Sequence, residues 1–433
     1  MKEDSSLFKY ELAIVLIIKN GAPYMREWIE YHLLAGVDHF YIYDNESTDN
    51  LQEVLKPYID AGFVDCKKFP GKSAQCAAYN DAVENYRFDC RYMAFIDDDE
   101  FIRPLDPTQS IKDVLREVFD KNPEAAGLTL NGYKFGSSGH ETADLSVKVI
   151  ERFVRRAATP DDLTKIIANP RLVEFVENPH YMNFFIGAYA VNSIGKKNAA
   201  LIPEKFAVQL QKPVLDKIIF NHYCLKSREE FVQKFSRGDA FFVQAKRDMK
   251  QFNDTDAVSN EVFDDGIIHY IYARQNISNS TSTGGGKKFT FESDSARRRR
   301  MLDALMRNLM PATFEDVSDE FFTDKCVIFL QCRAIVNALS GKGIEQPTAE
   351  YFEDLALRCI TRRVLNGNVK LYELLILIEE LPKILLLKYP VVDDIKNVCM
   401  SFLPNLIMNY RYLNDWKHYN RYNRLLQLLK GMN

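Results

Sequence analysis

Four acidic residues, Asp97-Asp98-Asp99-Glu100, follow directly on the apolar run Tyr92-Met93-Ala94-Phe95-Ile96, and apolar residues resume at Phe101. Carboxylates this close repel one another unless a cation sits among them. Mg²⁺ or Mn²⁺ suits such a cluster, because hard cations take carboxylate oxygens and keep positions open for phosphate. The alternative is a solvated acidic turn. Tyr92–Ile96 reads as a buried strand, so the acids fall at its carboxyl end, where open α/β sheets place their ligands. A second acidic strand end follows the same logic. Phe40-Tyr41-Ile42-Tyr43 runs into Asp44-Asn45-Glu46-Ser47-Thr48-Asp49. Two such ends facing one crevice suit a nucleotide and a metal. Asp44 would accept from a base or ribose, and Asp97–Asp99 would hold the metal on a diphosphate. Asp, Asn and Ser are also ordinary turn residues.

The elements that must position these groups are legible in order. Leu12–Ile18 is a near-continuous apolar strand, as a parallel sheet requires. Pro23 suits a helix start, and Met25, Trp28, Ile29, His32 and Leu33 recur at helical spacing. His32 reads as a structural helix residue. A helix over 51–61, a strand over 63–69 and a helix from Lys72 to about Tyr86 precede the strand that ends at Asp97. The pattern is βαβαβαβ, a doubly wound α/β fold with right-handed crossovers.

Composition bounds the function. A formal net charge of −4 gives no basic face for nucleic acid. No apolar run approaches a membrane span, and the first residues, Met1–Ser6, lack the basic start and apolar stretch of a signal peptide. Eight cysteines without a C-x-x-C pair read as reduced thiols of a cytoplasmic protein. Gly71-Lys72-Ser73 resembles the tail of a P-loop, but Cys66 stands where that motif needs its first Gly.

Several ordered motifs carry a family resemblance. They are Lys19-Asn20, Tyr24–His32, Gly36–Asn45, Ser47-Thr48-Asp49, Gln75, Tyr79-Asn80, Phe95–Phe101, Phe135–His140, Val149–Phe153, Lys165–Pro170, His180, and Asn221-His222-Tyr223 with Lys226-Ser227. Together, over roughly residues 10–275, they resemble glycosyltransferase family 92, a group related to the GT-A enzymes of family 2. The family often has an acidic residue after Lys19-Asn20, where this chain has Gly21. The animal members' membrane anchor also has no counterpart here.

The resemblance implies a GT-A fold, a mostly parallel, Rossmann-like sheet, that binds a nucleoside diphosphate sugar with a divalent cation. It implies Asp97 and Asp99 as the D-x-D pair, with Asp99 in direct metal contact, and His222 as the later histidine that completes the metal shell. Imidazole suits Mn²⁺ better than Mg²⁺; the alternative for His222 is a core histidine satisfied by backbone. The UDP-sugar side would involve Lys19, Asp44, Asn45, Gln75, Asn80, Asp97 and Lys165. Lys226 and Arg237 are further candidates to neutralise phosphate. The Gly/Ser-rich turn Phe135–His140 lies where GT-A folds touch sugar and acceptor, so His140 and Glu141 are the acid/base candidates. Glu151 and Glu177 stay open as alternatives. The family activity implies β-linkage formation from UDP-galactose with inversion, and a glycan or lipid-linked saccharide acceptor.

The expected organisation is residues 1–275 as the transferase domain, 276–296 as a flexible linker around Gly284-Gly285-Gly286, and 297–433 as an all-α domain. The last carries no catalytic constellation. It would pack, dimerise, bind acceptor, or touch the inner membrane face through Arg297–Arg300 and its Arg/Lys/Tyr-rich end. Two other functions compete: a sugar-nucleotide nucleotidyltransferase, for which Lys19–Pro23 is a poor phosphate loop, and a degenerate transferase acting as a scaffold.

Overall fold

A computed structural model describes residues 8–122, 125–184, 188–197, 212–236, 248–281, 400, 403–404, 407–408 and 416–430. The chain divides into two compact units, Met1–Asn308 and Leu309–Asn433.

The first unit begins β1 (Tyr10–Ile18), α1 (Ala22–Leu34), β2 (His39–Asp44), α2 (Leu51–Asp60), β3 (Val64–Lys68), α3 (Gln75–Tyr86) and β4 (Cys90–Phe95). The alternation follows the expected βαβαβαβ. Strand β1 is apolar on consecutive residues because both faces are covered. Leu12, Ile14 and Leu16 pack in one core with Met25, Trp28 and Ile29 of α1. Ala13, Val15 and Ile17 pack in another with Ala78, Tyr79 and Ala82 of α3. Each large side chain so buried stabilises the fold by about 1.5–3 kcal/mol.

After β5 (Glu100–Pro104) and α4 (Ile111–Lys121) come β6 (Ala125–Leu130), β7 (Gly132–Lys134), α5 (Val149–Arg152), β8 (Arg155–Arg156) and β9 (Lys165–Ala168). The main sheet runs β12-β6-β9-β4-β1-β2-β3, with β12 at Tyr189–Val191. All its pairings are parallel except those of β9, which lies antiparallel between β4 and β6. The expected mostly parallel sheet is therefore present. The reversed strand β9 brings Lys165 toward the carboxyl end of β4.

A second sheet, β5-β13-β7, is formed with β13 (Ile218–His222) antiparallel to β5 and parallel to β7. Gly132 is required there, since a Cβ would lie 2.1 Å from the Phe220 carbonyl oxygen. A hairpin, β10 (Val173–Asn178) and β11 (Tyr181–Phe184), packs on α3. Helices α6 (Arg228–Ser236), α7 (Met249–Val258) and α8 (Gly266–Thr281) follow, with β14 (Val262–Phe263) paired to β8.

Helix α8 runs past Asn276 to Thr281, so the first part of the expected flexible linker is helical. Once Ile267 and Tyr270 are buried, each further turn extends an existing helix without a new nucleus. The glycine run and the expected helices of 297–399 lie outside the described residues. The second unit contributes α9 (Trp416–Lys430), with Tyr422 and Leu426 buried. Among the described residues no helix is long and apolar enough to cross a membrane.

Candidate active site

The acids form a turn in which Asp99 and Glu100 are buried and Asp97 and Asp98 partly exposed. Glu100 N donates to the Asp97 carbonyl at 3.1 Å, and Asp97 N donates to Glu100 Oε2 at 2.9 Å. Helix α1 fixes the turn from below, where Trp28 Nε1 donates to the Glu100 carbonyl at 2.9 Å. Tyr223 N donates to the Asp99 carbonyl at 2.8 Å. The β5–β13 register sets His222 opposite Glu100, which joins groups more than a hundred residues apart. Because β2 and β4 both run parallel to β1, Asp44 and the acid turn share one edge, as the sequence implies.

Asp97, Asp99 and Glu100 each have a counter-charge. Lys165 is 1% exposed, with Nζ 2.8 Å from Asp97 Oδ2 and 3.0 Å from Glu100 Oε2. Gln75 Nε2 donates to the other oxygen of Asp97 at 2.7 Å. Lys234 of α6 contacts Asp99 Oδ2. His222 Nε2 stands 3.8 Å from Asp99 Oδ1 and 3.9 Å from Glu100 Oε1. Its Nδ1 lies 3.5 Å from Asp161 Oδ2, and Lys134 Nζ lies 3.0 Å from the other Asp161 oxygen. Burial works against ionised Asp99, but Lys234, His222 and Lys226 hold its carboxyl well below the ordinary range. Burial likewise opposes ionised Asp161, and His222 and Lys134 outweigh it. For Glu100 burial prevails over Lys165, and the carboxyl is pushed up. Burial would lower the His222 imidazole, yet Asp161, Asp99 and Glu100 together raise it.

This geometry separates the two acids expected to share a cation. Asp97 gives one oxygen to Gln75 and the other to Lys165, because a buried ammonium needs a partner more than a half-exposed carboxylate needs a cation. Asp99 keeps Oδ1 facing His222 Nε2, at a separation two ligands of one hard cation can have. Among the described residues no group of three His, Cys, Asp or Glu side chains is arranged to hold a metal. A cation here would rest on Asp99 and His222 and take its other ligands from diphosphate oxygens and water, as Mg²⁺ commonly does. The donor types fit Mn²⁺ as well.

The remaining expected residues divide. Lys19 is half-buried at the end of β1. Asp44 accepts from Ser47 N at 2.9 Å and Gln52 Nε2 at 3.1 Å. Asn45 ties β2 to the next loop through the carbonyls of Phe69 and Gly71. Asn80 does not join the site. Its amide donates to the Cys76 and Val176 carbonyls and accepts from Val176 N, clamping the hairpin to α3. Five positions along a helix turn it about 140° from Gln75. His140 Nε2 meets the Arg152 carbonyl at 3.1 Å, and Glu141 is exposed beside Arg228. Glu151 and Glu177 are exposed. Arg237 lies outside the described residues. Lys226 is buried in a left-handed conformation (φ 55°), with Nζ 4.1 Å from the Tyr24 ring centroid.

Four groups in the site had no role assigned from sequence. Lys134, Asp161 and Lys234 lack any local signal, since each meets its partner only through tertiary packing. His180 belongs to a quoted motif. Its Nδ1 lies 3.1 Å from the Thr164 carbonyl, which requires the proton on Nδ1 and leaves Nε2 as an acceptor. Burial, then Lys165, lowers this imidazole to about 4, so it is neutral near pH 7.

The family profile of glycosyltransferase family 92 matches residues 20–254. The chain belongs to glycosyltransferase family 92. It is 28% identical over 219 residues to a family 92 protein of Oryza sativa subsp. japonica, covering 48% of this chain and 37% of that one. To a Ricinus communis family 92 protein it is 26% identical over 239 residues, covering 54% and 39%. The chain thus spans well under half the length of these relatives. To the galactan beta-1,4-galactosyltransferase GALS2 of Arabidopsis thaliana it is 38% identical over 88 residues, covering 18% and 17%. A crystal structure of S. aureus TarS 1-349 in complex with UDP aligns with 82% of this chain and 92% of that one, at 10% identity and a TM-score of 0.29. A score that low supports no argument about the site.

Proposed function

We propose that this family 92 member transfers a hexose, galactose as the first choice, from a UDP-sugar to a hydroxyl of a glycan or lipid-linked saccharide, with inversion. The observation that carries the reading is the facing pair Asp99 and His222, flanked by Lys165 and Lys234, at the carboxyl edge of the sheet. The choice of galactose is supported by the activity that the name of the Arabidopsis relative carries.

In this reading the anomeric C–O bond to the diphosphate breaks as the acceptor oxygen attacks from the opposite face. Asp99 and His222 would hold a Mn²⁺ or Mg²⁺ ion, whose charge would help neutralise the leaving diphosphate. Lys234 holds Asp99 in place, Asp161 orients His222, and Lys165 with Gln75 fixes Asp97 beside the nucleotide. Fixed charges of this kind favour charge that develops only in the transition state. The acceptor proton needs a base. His180 is our choice, because its Nδ1 is held by the Thr164 carbonyl, which leaves Nε2 as an acceptor, and the ring feels the charges of Lys165, Asp97 and His222. The ion pairs of Lys165 with Asp97 and Glu100, beside His222 facing Asp99, also favour an intact site over a degenerate scaffold.

Calorimetric titration of UDP and UDP-galactose tests the reading, run with Mn²⁺, with EDTA and with Asp99→Ala. Metal-dependent UDP binding that disappears in the variant is the expected result. No nucleotide binding under any metal would overturn it.

A further inference from the structure

The hairpin β10–β11 has an outward face that the donor site leaves unused. Its inward residues Val173, Val176 and Met182 pack in the core shared with α3. Glu174, Phe175, Glu177, Tyr181 and Asn183 lie on the other side. Phe175 is 43% exposed, high for a phenylalanine in a paired strand. Tyr181 donates its hydroxyl to Glu177 Oε1 at 3.2 Å, which fixes its ring. Asn183, directly across from Phe175, has Nδ2 buried with no hydrogen-bond acceptor. The turn of the hairpin delivers His180, held by Asn178 Oδ1 at its backbone N and by the Thr164 carbonyl at its ring.

We propose that this face is the acceptor subsite and that its occupant is a neutral glycan chain, an inference that rests on the transferase reading above. A sugar ring has an apolar C–H face and a rim of hydroxyls. An aromatic ring beside a carboxylate and a tyrosine hydroxyl offers the complement of both. Glu174 and Glu177 disfavour an anionic polymer by like-charge repulsion. Phe175 and Tyr181 sit about 10 Å apart along the strand direction, enough for more than one sugar ring. His180, at the turn of the hairpin, feels the charges of Lys165, Asp97 and His222, so a chain lying along this face toward the turn would bring its terminal hydroxyl toward the imidazole. Asn80 has a positioning role here, because its amide locks Val176 and with it the height of the hairpin over α3.

The test uses the full chain, UDP-galactose with Mn²⁺, and a probe panel of methyl β-galactoside and β-1,4-linked galacto-oligosaccharides. Acceptor KM comes from initial rates and UDP affinity from calorimetry. Phe175→Ala should raise acceptor KM about tenfold while UDP affinity stays within about twofold of the wild type. Tyr181→Phe, which keeps the ring and loses the hydroxyl, should show a smaller rise. KM should fall as the oligosaccharide lengthens in the wild type, and that gain should vanish in Phe175→Ala. An unchanged KM in Phe175→Ala overturns the proposal, as does equal loss of UDP affinity, which would signal a damaged fold. A wild-type protein that binds UDP-galactose yet neither binds nor uses any panel member overturns it too. A wild-type protein that binds no UDP sinks the transferase reading first, and the subsite with it.

Discussion

Truncating Asp161 should weaken cation binding without removing any group that contacts the cation. Asp161 is 1% exposed, with one oxygen 3.5 Å from His222 Nδ1 and the other 3.0 Å from Lys134 Nζ. Its proposed role is to fix the imidazole so that Nε2 faces Asp99 Oδ1. Loss of such an outer partner of a metal-bound histidine typically lowers metal affinity about 10–100-fold, or about 1.4–2.8 kcal/mol. The His222–Asp161 contact is long, so Asp161→Ala belongs near the lower bound, about tenfold. Asp161→Asn separates two explanations, because it removes the charge but keeps an acceptor for Nδ1. If orientation dominates, Asn recovers much of the loss. If the carboxylate acts only through its field, Ala and Asn weaken binding alike, by on the order of 1–2 kcal/mol. The assay is calorimetric titration of Mn²⁺ into protein saturated with UDP, with melting temperatures recorded in parallel. A Mn²⁺ affinity for Asp161→Ala within twofold of the wild type would refute the orienting role.

Other perturbations bear on the scaffold. Arg152 and Glu230 form a buried bidentate ion pair, at 2.8 and 2.9 Å, between α5 and α6. Arg152→Ala strands the Glu230 charge and should cost about 3–5 kcal/mol in urea unfolding, with UDP affinity falling because α6 carries Lys234. Acid should act through the same pair. Burial would raise Glu230, but Arg152 and Ser227 hold it at about 2. A carboxyl depressed in the folded state stabilises above its unfolded value and loses that contribution as pH falls toward 2. The loss is about 3 kcal/mol, and it should vanish from the acid-unfolding curve of a Glu230→Gln variant. Restoring an acid at Gly21 should destabilise. A Cβ there meets Ile18 Cδ1 at 2.4 Å and Asp98 Oδ2 at 3.0 Å, so Gly21→Asp should cost about 1–2 kcal/mol, read as a lowered melting temperature.

Local pattern carried most of the α/β half. The strand at Leu12–Ile18, the helix opened by Pro23 and the acid turn after Phe95 were legible because each signal lies within one element. The shared edge of Asp44 and Asp97 followed from parallel strands alone. The charge partners were not legible. Lys165 reaches Asp97 because β9 is reversed in the sheet, and nothing in Lys165–Ala168 encodes strand direction. Lys234 and Asp161 come from a helix and a loop whose sequences look like solvated surface. Asn80 shows the opposite error, since its place in a motif beside Gln75 suggested one lining face, and helical geometry turned it to the hairpin. His140, in its Gly/Ser-rich turn, places Nε2 on the Arg152 carbonyl, a contact that the turn's sequence does not encode.

The charge arrangement itself carries a constraint on how ligands bind. Asp97, Asp99, Glu100 and Asp161 are offset by Lys165, Lys234 and Lys134, with His222 between them. A cation arriving alone gains two ligands and meets flanking ammonium groups. A diphosphate arriving alone gains those ammonium groups and meets carboxylates. Each therefore pays a desolvation cost that its own partners only partly offset. Arriving together, the cation would rest against Asp99 and His222 while the diphosphate would face lysines, and each would offset the like charges the other meets. In the transferase reading, cation and nucleotide thus bind as a coupled pair, and by linkage each must raise the other's affinity by the same factor. Lys165 holds Asp97 and Lys234 holds Asp99 as ions before either ligand comes, so in that reading the acid turn needs no rearrangement to receive both.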